Sequence, residues 1–302
     1  MALRFGVLGT GYWAAEIHAA GLAGHPGAAL AGVWGRDAGK AEVLARRFGV
    51  PAYTDVDALI ADVDAVAVAL PPDVQAPLAA RAARAGRHLL LDKPLALTVA
   101  AADEVVRAVA GRDVASVIFF TRRFSPAIDT FLREASGTPG WSGARVTLFA
   151  SIFQPGNPFG ASPWRRERGG LWDVGPHALS LLLPVLGPVA GAYGTEGPHQ
   201  TAYATLRHTG GAVSTLELTL DAPAAAVTHG TLLYGEPGLR RVPDEDLDAP
   251  GAFGRAVDQL LAAAAAGPGE RGHPCDVRFG REVVAILTAI EASITSGATE
   301  PV

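Results

Sequence analysis

Leu3-Arg4-Phe5-Gly6-Val7-Leu8-Gly9-Thr10-Gly11-Tyr12-Trp13-Ala14 joins a short apolar run directly to a glycine motif of the form G-x-G-x-x-A. The apolar run reads as a strand, and the pattern from Ala15 to Ala23 reads as a helix. Each small residue of the motif has a physical task. Gly9 permits the tight turn, Gly11 lets the backbone approach a pyrophosphate, and Ala14 lets the helix pack on the strand. Thr10, Tyr12 and Trp13 complete the turn, whose free amides, with the helix dipole, would face phosphates. A strand, this motif and a helix in immediate succession predict a dinucleotide-binding turn.

The alternation continues outward from that turn. Ala29 to Trp34 reads as a second strand, followed by Gly35-Arg36-Asp37. A carboxylate at this strand end commonly accepts hydrogen bonds from the ribose of NAD. Here the position falls to Gly35, and Arg36 beside it suits a 2′-phosphate. Asp37 is read as the N-cap of a helix from Ala38 to Phe48. The expected cofactor is therefore NADP in preference to NAD. Asp55 to Ala61 is a short helix and Asp64 to Leu70 a buried strand, which places Leu70 and Pro71 in the cofactor-facing set. Pro72 opens a helix that runs to Ala85 and stops at Gly86.

Leu89-Leu90-Leu91-Asp92-Lys93-Pro94 is the next strand, apolar throughout its core yet ending in a carboxylate, an ammonium and a proline. Ligands of open parallel sheets bind at the carboxyl ends of the strands, so this strand delivers Lys93 to the mouth of a site, with Asp92 and Pro94 beside it. Thr98 to Ala110 is helical and Ala115 to Phe120 a strand. Residues 1–121 are thus expected to form a doubly wound parallel α/β sheet, with 122–302 as a second, α+β domain. There the pattern gives a helix from Thr121 to about Glu134, a strand from Ala144 to Gln154, and a Pro-, Gly- and Arg-rich loop to Gly170. A helix follows over Gly175 to Leu186. Thr201 to His208, Ala212 to Leu220, Val227 to Tyr234 and Gly238 to Val242 read as antiparallel strands, with a hairpin turn at His208-Thr209-Gly210-Gly211. Helices over Gly251–Ala266 and Asp276–Thr295 come last.

Composition narrows the function classes. A net charge of −5 over 302 residues gives no global field for nucleic acid. A single cysteine, Cys275, excludes an internal disulfide and a cysteine-based zinc cluster, and no metal site is expected. No apolar run has membrane-spanning length and no signal peptide is evident, so a cytoplasmic protein without membrane association is expected.

The second informative stretch is Gly169-Gly170-Leu171-Trp172-Asp173-Val174-Gly175-Pro176-His177. Asp173 and His177 are four apart at an expected helix start, where one face can carry both and the dipole keeps the carboxylate ionised. An imidazole beside a carboxylate can take a proton near neutral pH. The loop before it offers Trp164 and Trp172 to stack on a sugar face. Arg165, Arg166 and Arg168, with Arg122 and Arg123, could meet a phosphate or carboxylate.

Taken in order, Gly9-x-Gly11-x-x-Ala14, Gly35-Arg36-Asp37, Asp92-Lys93-Pro94, Arg123-Phe124 and Gly169-Gly170-x-x-Asp173-x-x-x-His177 resemble the glucose–fructose oxidoreductase / inositol dehydrogenase (Gfo/Idh/MocA) family. The resemblance implies a Rossmann domain followed by an α+β domain with a large open, mostly antiparallel sheet, which commonly meets its mate in a homodimer or homotetramer. It also implies NAD(P)-dependent hydride transfer to or from a sugar, inositol or related polyhydroxylated substrate, with Lys93, Asp173 and His177 catalytic. Three positions depart from the family pattern. Asp92 replaces the usual glutamate, Gln75 stands where a histidine is frequent, and Ser180 stands where an aspartate often follows the pair. The expected mechanism uses His177 as acid or base and Lys93 to polarise the substrate oxygen, with the roles of the two exchangeable. Asp173 would orient His177 or bind a second hydroxyl. Both domains would supply one cleft. Two alternatives stay open: a non-catalytic nucleotide-binding sensor, and a glycoside hydrolase that retains its nicotinamide.

Overall fold

The computed structural model describes residues 2–244, 248–267 and 269–302. The chain forms two compact units, the first made of residues 1–124 and 248–282 and the second of 125–247 and 283–302.

In the first unit, six strands stand in the order β3-β2-β1-β4-β5-β6, every neighbouring pair parallel. They are β1 (Leu3–Leu8), β2 (Ala28–Trp34), β3 (Ala52–Tyr53), β4 (Ala65–Val68), β5 (His88–Asp92) and β6 (Ser116–Phe119). Leu89, Leu90 and Leu91 have no solvent exposure, as a strand covered on both faces requires. The order reverses between β1 and β4, so the switch point lies at the carboxyl ends of these strands, where Gly9 and Leu70 begin their turns.

The helices of this unit are α1 (Ala20–Ala23), α2 (Ala38–Phe48), α3 (Val56–Asp62), α4 (Pro72–Arg84) and α5 (Val99–Arg112). Local chemistry sets their ends. Asp37 caps α2 by accepting from the Lys40 amide at 3.1 Å, Pro72 opens α4, and Gly86 takes the left-handed conformation just past it. A π-helix over Ala14–Ala19 leads into α1.

The sequence-based division kept 122–302 in one piece, and here the structure corrects it. The long helix of residues 249–265 buries Ala252, Phe253, Ala256, Val257 and Leu260 completely or nearly so, packing against β5, β6 and α1. Its apolar stripe is the face it buries there.

In the second unit seven strands take the order β12-β11-β7-β10-β9-β8-β13. They are β7 (Trp141–Phe149), β8 (Val189–Gly197), β9 (Thr201–His208), β10 (Val213–Thr219), β11 (Thr228–Gly235), β12 (Gly238–Arg241) and β13 (Glu300–Pro301). Only β7 and β10 pair in parallel; the other pairs are antiparallel, including the β9–β10 hairpin. One face, with Ala144, Val146, Leu206, Leu216 and Leu218, is buried. The helices are α6 (Pro126–Ser136), α7 (Pro163–Asp173) and α8 (Gly175–Leu186); α9 (Ala249–Ala265) is the returning helix above, and α10 (Val277–Ser296) runs from the first unit's residues into the second's.

Three expectations change here. The helix expected from Thr121 is a single 3-10 turn, Thr121–Phe124, after which Ser125 caps α6 through the Ile128 amide. The strand expected to reach Gln154 ends at Phe149. The expected loop up to Gly170 contains α7, opened by Pro163 at its first turn and broken at Gly169, where φ is 62°. No helix of the described residues is long and apolar enough to cross a membrane.

Candidate active site

The glycine turn has the shape that a dinucleotide needs. Gly9 lies at φ 133°, and a Cβ there would stand 2.4 Å from the Ala69 carbonyl oxygen, so only glycine lets β1 and β4 come this close. At Gly11 a Cβ would meet nothing within 4 Å. That open space, on an exposed backbone, fits the approach of a pyrophosphate. Ala14 is fully buried against the sheet. Thr10 and Trp13 are half-buried and Tyr12 is exposed where the helix begins.

Beside the turn, Gly35 is buried and Arg36 exposed. A Cβ at Gly35 would stand 2.5 Å from Thr10 Cγ2, so the acidic side chain absent here has no room unless Thr10 moves. Asp37 is engaged as the α2 cap. Leu70 and Pro71 are half-buried at the end of β4.

Lys93 leaves the carboxyl end of β5 and is half-buried, joined to buried Pro94 by a cis peptide bond. Lys93 and Lys40 are the only lysines in the chain, against an abundance of arginine. Arginine keeps its charge, whereas a lysine can give up a proton, so a lysine at this position is a chemical signal. The Asp92 carboxylate lies 3.6 Å from His18 Nε2. His18 sits in the π-helix, wholly buried, with its ring 4.6 Å from that of Phe253 and neither ring nitrogen in a hydrogen bond. It was not singled out from sequence. Its position, one helical turn past Ala14, was the available signal.

Arg123 is half-buried in the 3-10 turn. Its guanidinium helps to hold the His273 imidazole neutral: burial first, and Arg123 second, push that ring down to about 4. His273 Nδ1 accepts from the Cys275 amide at 2.9 Å and Nε2 lies 2.6 Å from Gln259 Oε1, which fixes the Nε2–H tautomer.

In the second unit, α7 and α8 bring several expected residues together. Asp173 is buried at the carboxyl end of α7, and His177 is half-buried in the first turn of α8. Asp173 ends the last turn of α7 after the break at Gly169 and lies just before the start of α8 at Gly175. Its counter-charge is Arg165, whose Nε lies 3.2 Å from Asp173 Oδ2. Arg165 is also stacked over the Trp164 ring at 4.9 Å and the Phe159 ring at 5.2 Å. Trp164, Arg165 and Asp173 are therefore one cluster.

Trp172 corrects a further expectation. Only 1% of it is exposed, and its indole N–H donates to Glu291 Oε1 at 2.9 Å, so it is a core residue and no platform for a sugar. Glu291 also takes Arg168 at 3.1 Å. Ser180 is buried and donates to the His177 carbonyl at 2.8 Å, which closes the first turn of α8.

A glycine turn at the switch point after β1 and a lysine at the same end of β5, with β4 between them, point to a nucleotide-dependent oxidoreductase of the Rossmann class, and comparison with known proteins agrees. The model of the Gfo/Idh/MocA oxidoreductase family, an NAD-binding Rossmann fold, matches residues 3–120. UDP-N-acetylglucosamine 3-dehydrogenase of Acidithiobacillus ferrooxidans is 35% identical over 324 residues, covering 97% of each chain. The dTDP-3,4-didehydro-2,6-dideoxy-alpha-D-glucose 3-reductase of Streptomyces antibioticus is 32% identical over 193 residues, 62% of this chain and 57% of that one, so this match spans little more than half of the relative. Among solved structures, GenD2 from gentamicin A biosynthesis in complex with NAD superposes with a TM-score of 0.86 at 21% identity, over 100% of this chain and 96% of that one, a likeness of fold. The chain belongs to the Gfo/Idh/MocA oxidoreductase family.

Proposed function

We propose that this protein transfers a hydride between NADP(H) and a carbinol carbon of a nucleotide-linked or free sugar. The observation that carries the proposal is Lys93 at the carboxyl end of β5, on the sheet edge where the glycine turn after β1 also lies. The near full-length similarity to a dehydrogenase of UDP-N-acetylglucosamine makes a UDP-sugar the first substrate to test.

Gly9, Thr10, Gly11, Tyr12, Trp13 and Ala14 would hold the pyrophosphate, Gly35 and Arg36 the ribose and its 2′-phosphate, and Leu70, Pro71, Asp92 and Pro94 the remainder. The nicotinamide, when bound, supplies the hydride acceptor or donor. In oxidation His177 takes the hydroxyl proton as base. Lys93 donates a hydrogen bond to the same oxygen and stabilises its developing negative charge. In reduction His177 returns the proton. Asp173 holds Arg165, and the two offer a carboxylate and a cation to substrate hydroxyls or phosphate, with Trp164 beside them. Arg123 adds a further cation.

The open face of the seven-stranded sheet is the proposed self-association surface. Tyr193 and Tyr203 are exposed there, and the pairings Tyr193 with Thr205 and Thr195 with Tyr203 put both on one side.

The direct test follows the reduced-nicotinamide absorbance band with UDP-N-acetylglucosamine, myo-inositol and D-xylose, each with NAD and NADP and in both directions. Net cofactor turnover with one of them supports the proposal. Tight cofactor binding without turnover on any sugar, inositol or sugar acid would refute it.

A further inference from the structure

We infer that Gln75 is a positioning residue for Lys93, acting as a surrogate peptide group that extends the sheet beyond the end of β4. The inference rests on the proposed role of Lys93 at the reacting oxygen.

His88 N–H donates to the Asp64 carbonyl on the β4 side, and Leu89 N–H to the Ala115 carbonyl on the β6 side. Alternate residues of β5 thus face β4 and β6 in turn, as a parallel ladder requires, and Asp92 faces the β4 side. Yet β4 ends at Val68, opposite Leu91. On the β4 side the backbone of Asp92 has no strand residue opposite it, although β6 pairs with it through Phe119 on the other side, and backbone polar groups shielded from water need partners.

Gln75, on α4 and fully buried, fills that place. Its Oε1 accepts from the Asp92 N–H at 2.9 Å. Its Nε2 donates to the Asp92 carbonyl at 2.7 Å and the Pro94 carbonyl at 3.1 Å, with Leu95 O at 3.4 Å as a third neighbour. A carboxamide has one acceptor and two donor hydrogens, so the orientation is fixed: turned over, it would set its oxygen against three carbonyls. One side chain therefore grips the backbone on both sides of Lys93. A fully buried amide engaged on both flanks of a half-buried lysine fixes where the ammonium begins its reach. Displacement of a reacting group by about 1 Å is enough to cost about 10²-fold in rate.

Lys93 and Lys40 are the only lysines, so protein grown with 13Cε-labelled lysine gives two side-chain NMR signals, one of them an exposed control. Gln75→Met is expected to move or broaden the Lys93 signal and leave Lys40 in place. It should lower kcat for UDP-N-acetylglucosamine oxidation by about tenfold or more, with cofactor Kd changed by less than about twofold. In a Lys93→Ala background the same change should cost less than about twofold, because its effect passes through Lys93. Gln75→His, which keeps one donor and one acceptor, should recover kcat to within about threefold of the parent. Should Gln75→Met not fold, Gln75→Glu, isosteric but with an oxygen facing the carbonyls, is read in its place. An unmoved Lys93 signal, or an equal loss of kcat with and without Lys93, would overturn the inference. Parent-level turnover by Lys93→Ala would instead remove the proposed role of Lys93, while the NMR signal would still decide whether Gln75 sets its position.

Discussion

Arg36 and Gly11 make opposite demands on a cofactor, and each can be tested alone. Arg36 is exposed and stands beside a glycine that offers no carboxylate to a ribose. Arg36→Ala is expected to weaken NADP binding by about tenfold, or about 1.4 kcal/mol, and to leave NAD nearly unchanged. Fluorescence titration with both cofactors measures this, and a tenfold preference of the parent for NAD would refute the assignment. Gly11 faces open space, so Gly11→Val should fold normally while its branched side chain occupies the volume the pyrophosphate needs. Cofactor affinity that survives this substitution in a folded protein would move the binding site elsewhere. The residues most clearly legible in the sequence were glycines, whose identity local geometry dictates, and a strand-end lysine, whose chemistry sets it apart from the arginines. His18 and Gln75 were harder to find. Their partners, Asp92 and the backbone around Lys93, are brought to them only by the fold.

Elements followed the same division between local and distant causes. Asp37, Pro72 and Gly86 announce helix ends through their own side chains or backbone freedom, and α2 and α4 stand where they were expected. β8 gave no such signal. It contains Gly191, Gly194 and Gly197, and at Gly194 a Cβ would lie 3.0 Å from Ile290 of α10, a close approach that sequence does not display. α7 was hidden by its arginines, two of which, Arg165 and Arg168, are held by Asp173 and Glu291.

Buried histidines give the elements a pH dependence. Burial holds His88, His208 and His273 below the ordinary imidazole range, His273 down to about 4. The folded state therefore binds fewer protons than the unfolded one between the unfolded value, about 6.5, and these lower values. Their contribution is present above about pH 6.5 and is lost as pH falls toward 4, with His273 accounting for on the order of 2–3 kcal/mol. Glu282, whose carboxyl burial pushes up, acts in the opposite sense. Thermal unfolding should show a falling Tm between pH 6.5 and pH 4.5, a fall made shallower by His273→Gln. A flat Tm over that range would contradict this reading.

At the scale of the whole molecule, the architecture was readable because a parallel α/β alternation followed by antiparallel strands leaves few arrangements. The return of Asp248–Glu282 to the first unit was not readable, because nothing in a generic amphipathic helix says which sheet it will cover. The exposed face of the second sheet predicts self-association: sedimentation velocity should give a dimer or tetramer, and Tyr203→Glu should shift it toward the monomer. A parent protein that sediments as a monomer would contradict this. The central claim, hydride transfer assisted by Lys93 and His177, is tested most directly by turnover of the best sugar substrate in Lys93→Ala and His177→Ala, with cofactor affinity measured alongside. Each variant is predicted to lose about 10²-fold or more in kcat while keeping cofactor affinity, and the double variant to lose less than the product of the two, since they serve one proton path. Normal turnover in either single variant, on a substrate that the parent oxidises, would contradict the account.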